Sequence, residues 1–155
     1  RMEGCRMNSM SLYITRGVLL ASGLIATCIA LMILLAPGAF YAGYGIDTSG
    51  DVNLVNELKA PAGALLLAGL FMMAGIFKPK LTVPSLAVAA TVYLSYGLSR
   101  ILSVAIDGVP HGGLVSAAVI ELAIGVVCLA DLALHRKKSA AALMFTLGLM
   151  QGGGG

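Results

Sequence analysis

Charge is scarce in this sequence. Only 11% of its 155 residues are Asp, Glu, Lys or Arg, while 59% are hydrophobic. A soluble domain carries about 25% charged and about 45–50% apolar residues. So few charges cannot cover a water-facing surface, which excludes an ordinary soluble fold and leaves a one-domain integral membrane protein. The formal net charge of +3 is too small to point to a nucleic-acid partner. Cysteine is sparse too: Cys5, Cys28 and Cys128 are odd in number, far apart and without a C-x-x-C pair. They imply neither a disulfide framework nor a zinc site. Cys28 and Cys128 lie in apolar runs, where a free cysteine acts as a small hydrophobe.

What the chain has in plenty is long apolar runs. A spanning helix needs about 20 mostly apolar residues, and four stretches qualify: about 12–36, 58–77, 82–106 and 114–134. The first stops at Pro37-Gly38. Pro61 and Pro84 are placed in the opening turns of the second and third, where the helical N–H groups have no partner anyway. The expected architecture is an all-α, four-helix transmembrane bundle. The first run follows Arg6 and Arg16 but is longer than the 7–15 residues typical of a signal-peptide core, and "APGAFYAG" is a poor cleavage site, so it is read as a retained span.

The charges order these spans. Arg1, Arg6 and Arg16 precede the first, Lys78 and Lys80 lie between the second and third, and "HRKK" follows the fourth. The other two connections carry Asp47, Asp51, Glu57 and Asp107, with Lys59 their main basic residue. Lys and Arg mark the cytoplasmic side, so both termini are expected inside. Phe40, Tyr41 and Tyr44, in "PGAFYAGYGID", stand where aromatic rings anchor at the membrane–water boundary. Residues 1–138 form the membrane domain. The tail 139–151 contains an apolar stretch, Ala140 to Met150, too short to span and suited to an interfacial or partner-contacting helix. The glycine run 152–155 is low-complexity and is set aside, and Arg1 is read as preceding the native start, with Met2, Met7 or Met10 as candidates.

One apolar stretch, "SAAVIELAIGVVCLADLAL", encloses Glu121. An unpaired charge near mid-membrane costs on the order of 3 kcal/mol, so this carboxyl must be protonated or paired. Arg100, near the outer end of the antiparallel third span, is the available partner; its flexible stem covers a difference in depth by snorkelling. Glu57 and Lys59 stand at the outer mouth of span two. Tyr93, Tyr96, Arg100 and Asp107 follow the spacing i, i+3, i+7, i+14, which puts them on one helical face that should point into the bundle. Glu57, Lys59, Tyr93, Tyr96, Arg100, Asp107 and Glu121 thus form an expected intramembrane polar cluster. It is open whether the Glu121–Arg100 pair is interhelical glue, part of a ligand or ion site, or a proton relay. Two rows of small residues, Ala60, Ala64 and Ala68 on span two and Ala87, Thr91, Ser95, Ser99 and Ser103 on span three, are expected to allow close helix packing, or contact with another protein.

Motifs for chemistry fail. In "DTSGDVN", Asp47, Ser49, Asp51 and Asn53 take positions 1, 3, 5 and 7 of a calcium loop, but Val52 replaces the glycine of position 6 and Leu58 the glutamate of position 12. His111 and His135 fall at opposite membrane faces and cannot share a haem iron. No G-x-x-x-x-G-K-[ST] or G-x-S-x-G motif is present. Cys128 shares a helical face with Glu121 but lies too deep to be a convincing thiolate. No metal site is assigned, and no enzyme is expected. A weak echo between "ELKAPAGALLLAG" and "ELAIGVV" hints at parallel repeats of two spans each.

"PGAFYAGYGID", "NELKAPAGALLLAGL", "YGLSRILSVAIDGVP" and "VIELAIG" resemble a bacterial family of small four-helix inner-membrane proteins known as a domain of unknown function, itself distantly similar to the DoxX-like membrane proteins. The resemblance covers about 12–134, and its polar positions match Glu57, Arg100, Asp107 and Glu121. Where the family usually has Arg followed by Ala-Pro-Gly-Gly, this chain has Lys59-Ala60-Pro61-Ala62-Gly63, and Lys cannot fork onto a carboxylate as Arg does. The resemblance implies fold and topology; the DoxX-like proteins suggest a respiratory or redox-linked setting by analogy alone. The functional expectation is a non-enzymatic accessory or structural subunit, packing on other membrane subunits or on itself. The alternative is a binding protein for a quinone, lipid or other amphiphile at the polar cluster, and the third is an oligomeric transporter. No cofactor is expected beyond a possible bound lipid or quinone.

Overall fold

The computed structural model describes residues 9–152, with side chains over 10–137 and at Met144. Five helices follow one another: α1 Ser9–Leu35, α2 Pro37–Ala42, α3 Val52–Phe77, α4 Pro79–Asp107 and α5 Gly112–Gly152. Stretches of four of them, Met10–Leu35, Val52–Phe77, Pro79–Asp107 and Gly112–Lys137, are long and apolar enough to cross a membrane. No strand occurs among the described residues. Outward faces carry exposed Leu20, Leu24, Leu67, Leu98, Leu102, Val119 and Val126. So broad an apolar surface is untenable in water and natural against lipid.

The helix boundaries depart from the sequence expectation at several places, and α4 opens at Pro79, which puts Pro84 inside it rather than in its first turn. Helix α3 begins at Val52, not Leu58, because the Asp51 side chain accepts from Leu54 N at 2.9 Å and caps it. Pro61 therefore lies inside α3 rather than in its first turn. The short helix α2, opened by Pro37 at its first position, fills part of the expected loop. The separate tail helix is instead a continuation of α5, unbroken to Gly152; most side chains from 138 onward lie outside the described residues.

Helix α1 packs chiefly on α3, α4 on α5, and the α3–α4 hairpin joins the pairs. Glycines set the closest approaches. A Cβ on Gly69 of α3 would meet Gly23 O and Thr27 N of α1, each at 2.9 Å. Gly97 of α4 faces Leu122 of α5, and Gly125 of α5 faces Leu94 of α4. The hairpin is tied by Thr82 Oγ1 donating to Gly75 O and Ser85 Oγ donating to Phe71 O, both at 2.9 Å. Most of the expected small-residue rows face outward: Ala60, Ala64, Thr91, Ser95, Ser99 and Ser103 are exposed, while Ala68 and Ala87 pack against the core. Ser95 and Ser99 turn their hydroxyls back to Val92 O and Ser95 O, which lets a polar residue face outward at little cost. The core gathers Leu19, Ala26, Met72, Leu86, Ala89, Tyr93 and Cys128 around the bundle axis.

Candidate functional site

The antiparallel register that matches Gly97 with Leu122 also sets Arg100, one turn further along α4, beside Glu121. Arg100 Nε donates to Glu121 Oε2 at 2.9 Å, with side-chain exposures of 33% and 16%. Glu121 is nine residues into α5, about 14 Å of helix from its start. Contact runs through Nε alone. The terminal guanidinium nitrogens have no acceptor among the described residues, so the pair leaves directed donors free.

Arg100 and Glu121 line a cleft of about 580 Å³ between α1, α2, α3, α4 and the start of α5. This is a usual size for a small-molecule site. Its walls are mostly apolar, including Ile25, Ile29, Ile33, Leu58, Leu65 and Ile120. Its polar side chains are Arg100, Ser116, Glu121 and the tyrosines Tyr41, Tyr44, Tyr93 and Tyr96. Tyr93 is buried and donates to Ser22 O of α1 at 2.6 Å. Burial, and then the neighbouring Tyr96, push the Tyr41 hydroxyl above the ordinary tyrosine range, against a smaller opposing pull from Arg100. It therefore stays a donor at neutral pH. Helix α2 roofs the cleft with edge-on rings: Phe40 and Tyr41 at 5.1 Å, Phe40 and Tyr44 at 5.5 Å, and Tyr44 on His111 at 6.3 Å.

Of the expected cluster, Tyr93, Tyr96, Arg100 and Glu121 come together at this cleft. Glu57 is exposed on α3 and Lys59 is half-buried, and neither lines it. The face of α3 that lines the cleft carries Leu58, Pro61, Ala62 and Leu65, and Glu57 and Lys59 fall off that face. Asp107 is exposed at the end of α4, where it accepts from Ser103 Oγ at 2.9 Å. The calcium-like loop has local duties: Asp47 Oδ1 accepts from Ser49 N at 2.8 Å, and Asp51 caps α3. Hydrogen bonds from Ser49, side chain first, hold the Asp47 carboxyl below the ordinary range.

The sequence pattern does not single out Asp131. It is buried in α5, with His135 Nδ1 at 3.3 Å from its Oδ1. The signal was there: Glu121, Cys128, Asp131 and His135 stand at i, i+7, i+10 and i+14 on one face.

Four spans enclosing an apolar cleft with an intramembrane ion pair define a small multi-pass helical membrane protein. Residues 14–132 match the family described as Domain of unknown function (DUF4345), and the chain belongs to it. No curated protein and no solved structure is matched by the chain.

Proposed function

We propose that this protein binds a small amphiphile in the cleft, with an acceptor head group on Arg100 and the tyrosine hydroxyls and an apolar body along α1 and α3. The observation that carries this is the one-point Arg100–Glu121 contact at the wall of a largely apolar cavity of about 580 Å³. Glue alone needs no cavity, and a pair meant only to lock register would use both forks of the guanidinium. Arg100 and Glu121 sum to zero charge, which favours a neutral head such as a quinone or ester carbonyl over an anion. The role is non-enzymatic: the cleft offers binding and orientation.

Basic residues at one end, among them Arg16, Lys78, Lys80, Arg136 and Lys137, support an orientation with both termini in the cytoplasm. The cleft then opens in the outer half of a bacterial inner membrane; a DoxX-like relationship belongs to the same proposal. A second reading, an accessory subunit packed on a partner or on itself, is favoured by the outward-facing Ala60, Ala64, Ser95 and Ser99.

The chain has no Trp and only five Tyr, four of which line the cleft, so its tyrosine emission reports the site. Titration of the nanodisc-embedded protein with a short-tailed benzoquinone should quench that emission to saturation, and Arg100→Ala should weaken the effect at least tenfold. Non-saturating quenching, equal in both proteins, contradicts the binding role.

A further inference from the structure

The half of α5 nearest the basic end holds a buried polar pair that the cleft does not use. Asp131 and His135 are 9% and 8% exposed, inside the span that ends at Lys137. His135 Nδ1 lies between two acceptors on Asp131, 3.0 Å from the backbone oxygen and 3.3 Å from Oδ1. That placement puts the ring hydrogen on Nδ1 and leaves a lone pair on Nε2. His135 Nε2 and Asp131 Oδ2 are buried with no hydrogen-bond partner among the described residues. Two orphaned polar atoms cost about 1–3 kcal/mol each, and ionisable groups inside a span are expensive in themselves. A pair kept only for packing would have its atoms satisfied or replaced.

Among the described residues, nothing facing the pair neutralises Asp131. Helix α1 turns Thr15, Leu19 and Ser22 inward; the two hydroxyls donate to Ser11 O and Val18 O of their own helix. Helix α4 presents Tyr93, whose hydroxyl donates to Ser22 O. On α5 itself the neighbour is buried Cys128. Helix α3 turns no charged side chain inward here. The described cations at this end, Arg16, Lys78, Lys80, Arg136 and Lys137, are exposed. With a proton on Nε2 the imidazolium balances the carboxylate; without it, a bare negative charge sits in an apolar span.

We infer that Asp131 and His135 together form a proton-binding site in the basic half of the membrane span, separate from the cleft. The proton adds to the Nε2 lone pair, Nδ1–H holds the Asp131 acceptors, and the loaded pair is neutral overall. Access is short: the exposed cations Arg136 and Lys137 follow His135 directly.

Nitrogen NMR of the histidine rings in nanodiscs tests this directly, because exposed His111 is the one other histidine and serves as an internal control. As pH falls from about 8 to 5, His135 Nε2 is expected to pass from the bare to the protonated range, with the Asp131 carboxyl carbon moving in the same steps. An Nε2 signal fixed across this range, or an Asp131 carbon that does not follow it, overturns the proposal.

Discussion

The Tyr93 hydroxyl donates to the Ser22 carbonyl oxygen at 2.6 Å, tying α4 to α1 across the floor of the cleft. These two helices otherwise touch little, so this bond joins the α1–α3 pair to the α4–α5 pair. Tyr93→Phe keeps the ring and removes the bond. It should lower stability by about 0.5–1.5 kcal/mol, read from thermal unfolding in detergent. A variant as stable as the parent means this bond adds nothing to the α3–α4 hairpin that already joins the pairs.

Two glycines on α3 should respond oppositely to alanine. At Gly69 a methyl group meets the backbone of Gly23 and Thr27, at 2.9 Å in each case, whereas at Gly63 it meets nothing within 4 Å. Gly69→Ala should cost about 1–3 kcal/mol by forcing α1 away. Gly63→Ala should be neutral or gain up to about 1 kcal/mol from helix propensity. Equal effects in unfolding assays would remove close backbone contact as the cause.

The ion pair should behave as a unit. Arg100→Ala strands Glu121 at 16% exposure and should destabilise by about 1–3 kcal/mol, the lower end reflecting the partial exposure of the pair. The double change Arg100→Met with Glu121→Leu removes both charges and should recover most of that loss, while ligand retention stays abolished. Recovery of stability together with ligand would place the binding elsewhere.

How much of this was legible beforehand differs by scale. The spans were, because about 20 apolar residues and clustered Lys and Arg leave few alternatives. The Arg100–Glu121 pair was, because a carboxyl within a span demands a partner and Arg100 lay at matching depth. The placement of Glu57 and Lys59 was not: it turned on which face of α3 lines the cleft, and Leu58, Pro61, Ala62 and Leu65 hold that face. The packing role of Gly23, Gly69, Gly97 and Gly125 was hidden, since glycine in a span signals nothing until its neighbour is known. The cleft depends on the α2 roof, and a six-residue helix leaves too short a pattern to find. Asp131 was passed over although it shares a face with Glu121, because it sits near the end of its apolar run.

Acid should loosen the turn before α3 late rather than early. The Asp47 carboxyl is held below its ordinary range by the Ser49 hydrogen bonds, so its contribution is full above that range and fades only as pH falls through the depressed value. Carboxyl-carbon NMR should therefore show Asp47 titrating below an unstructured aspartate, and Ser49→Ala should move its midpoint upward. A midpoint unmoved by that change would assign the effect to the Ser49 backbone N–H alone.

The account stands or falls on whether the cleft is occupied. Native mass spectrometry of the protein released from nanodiscs, parent beside Arg100→Ala, answers this most directly. The expected result is one neutral amphiphile retained per parent chain and none on the variant, with both equally folded. A bare chain in both samples, or the same lipids on both, contradicts binding at Arg100; a stoichiometric protein partner in its place would establish the subunit reading.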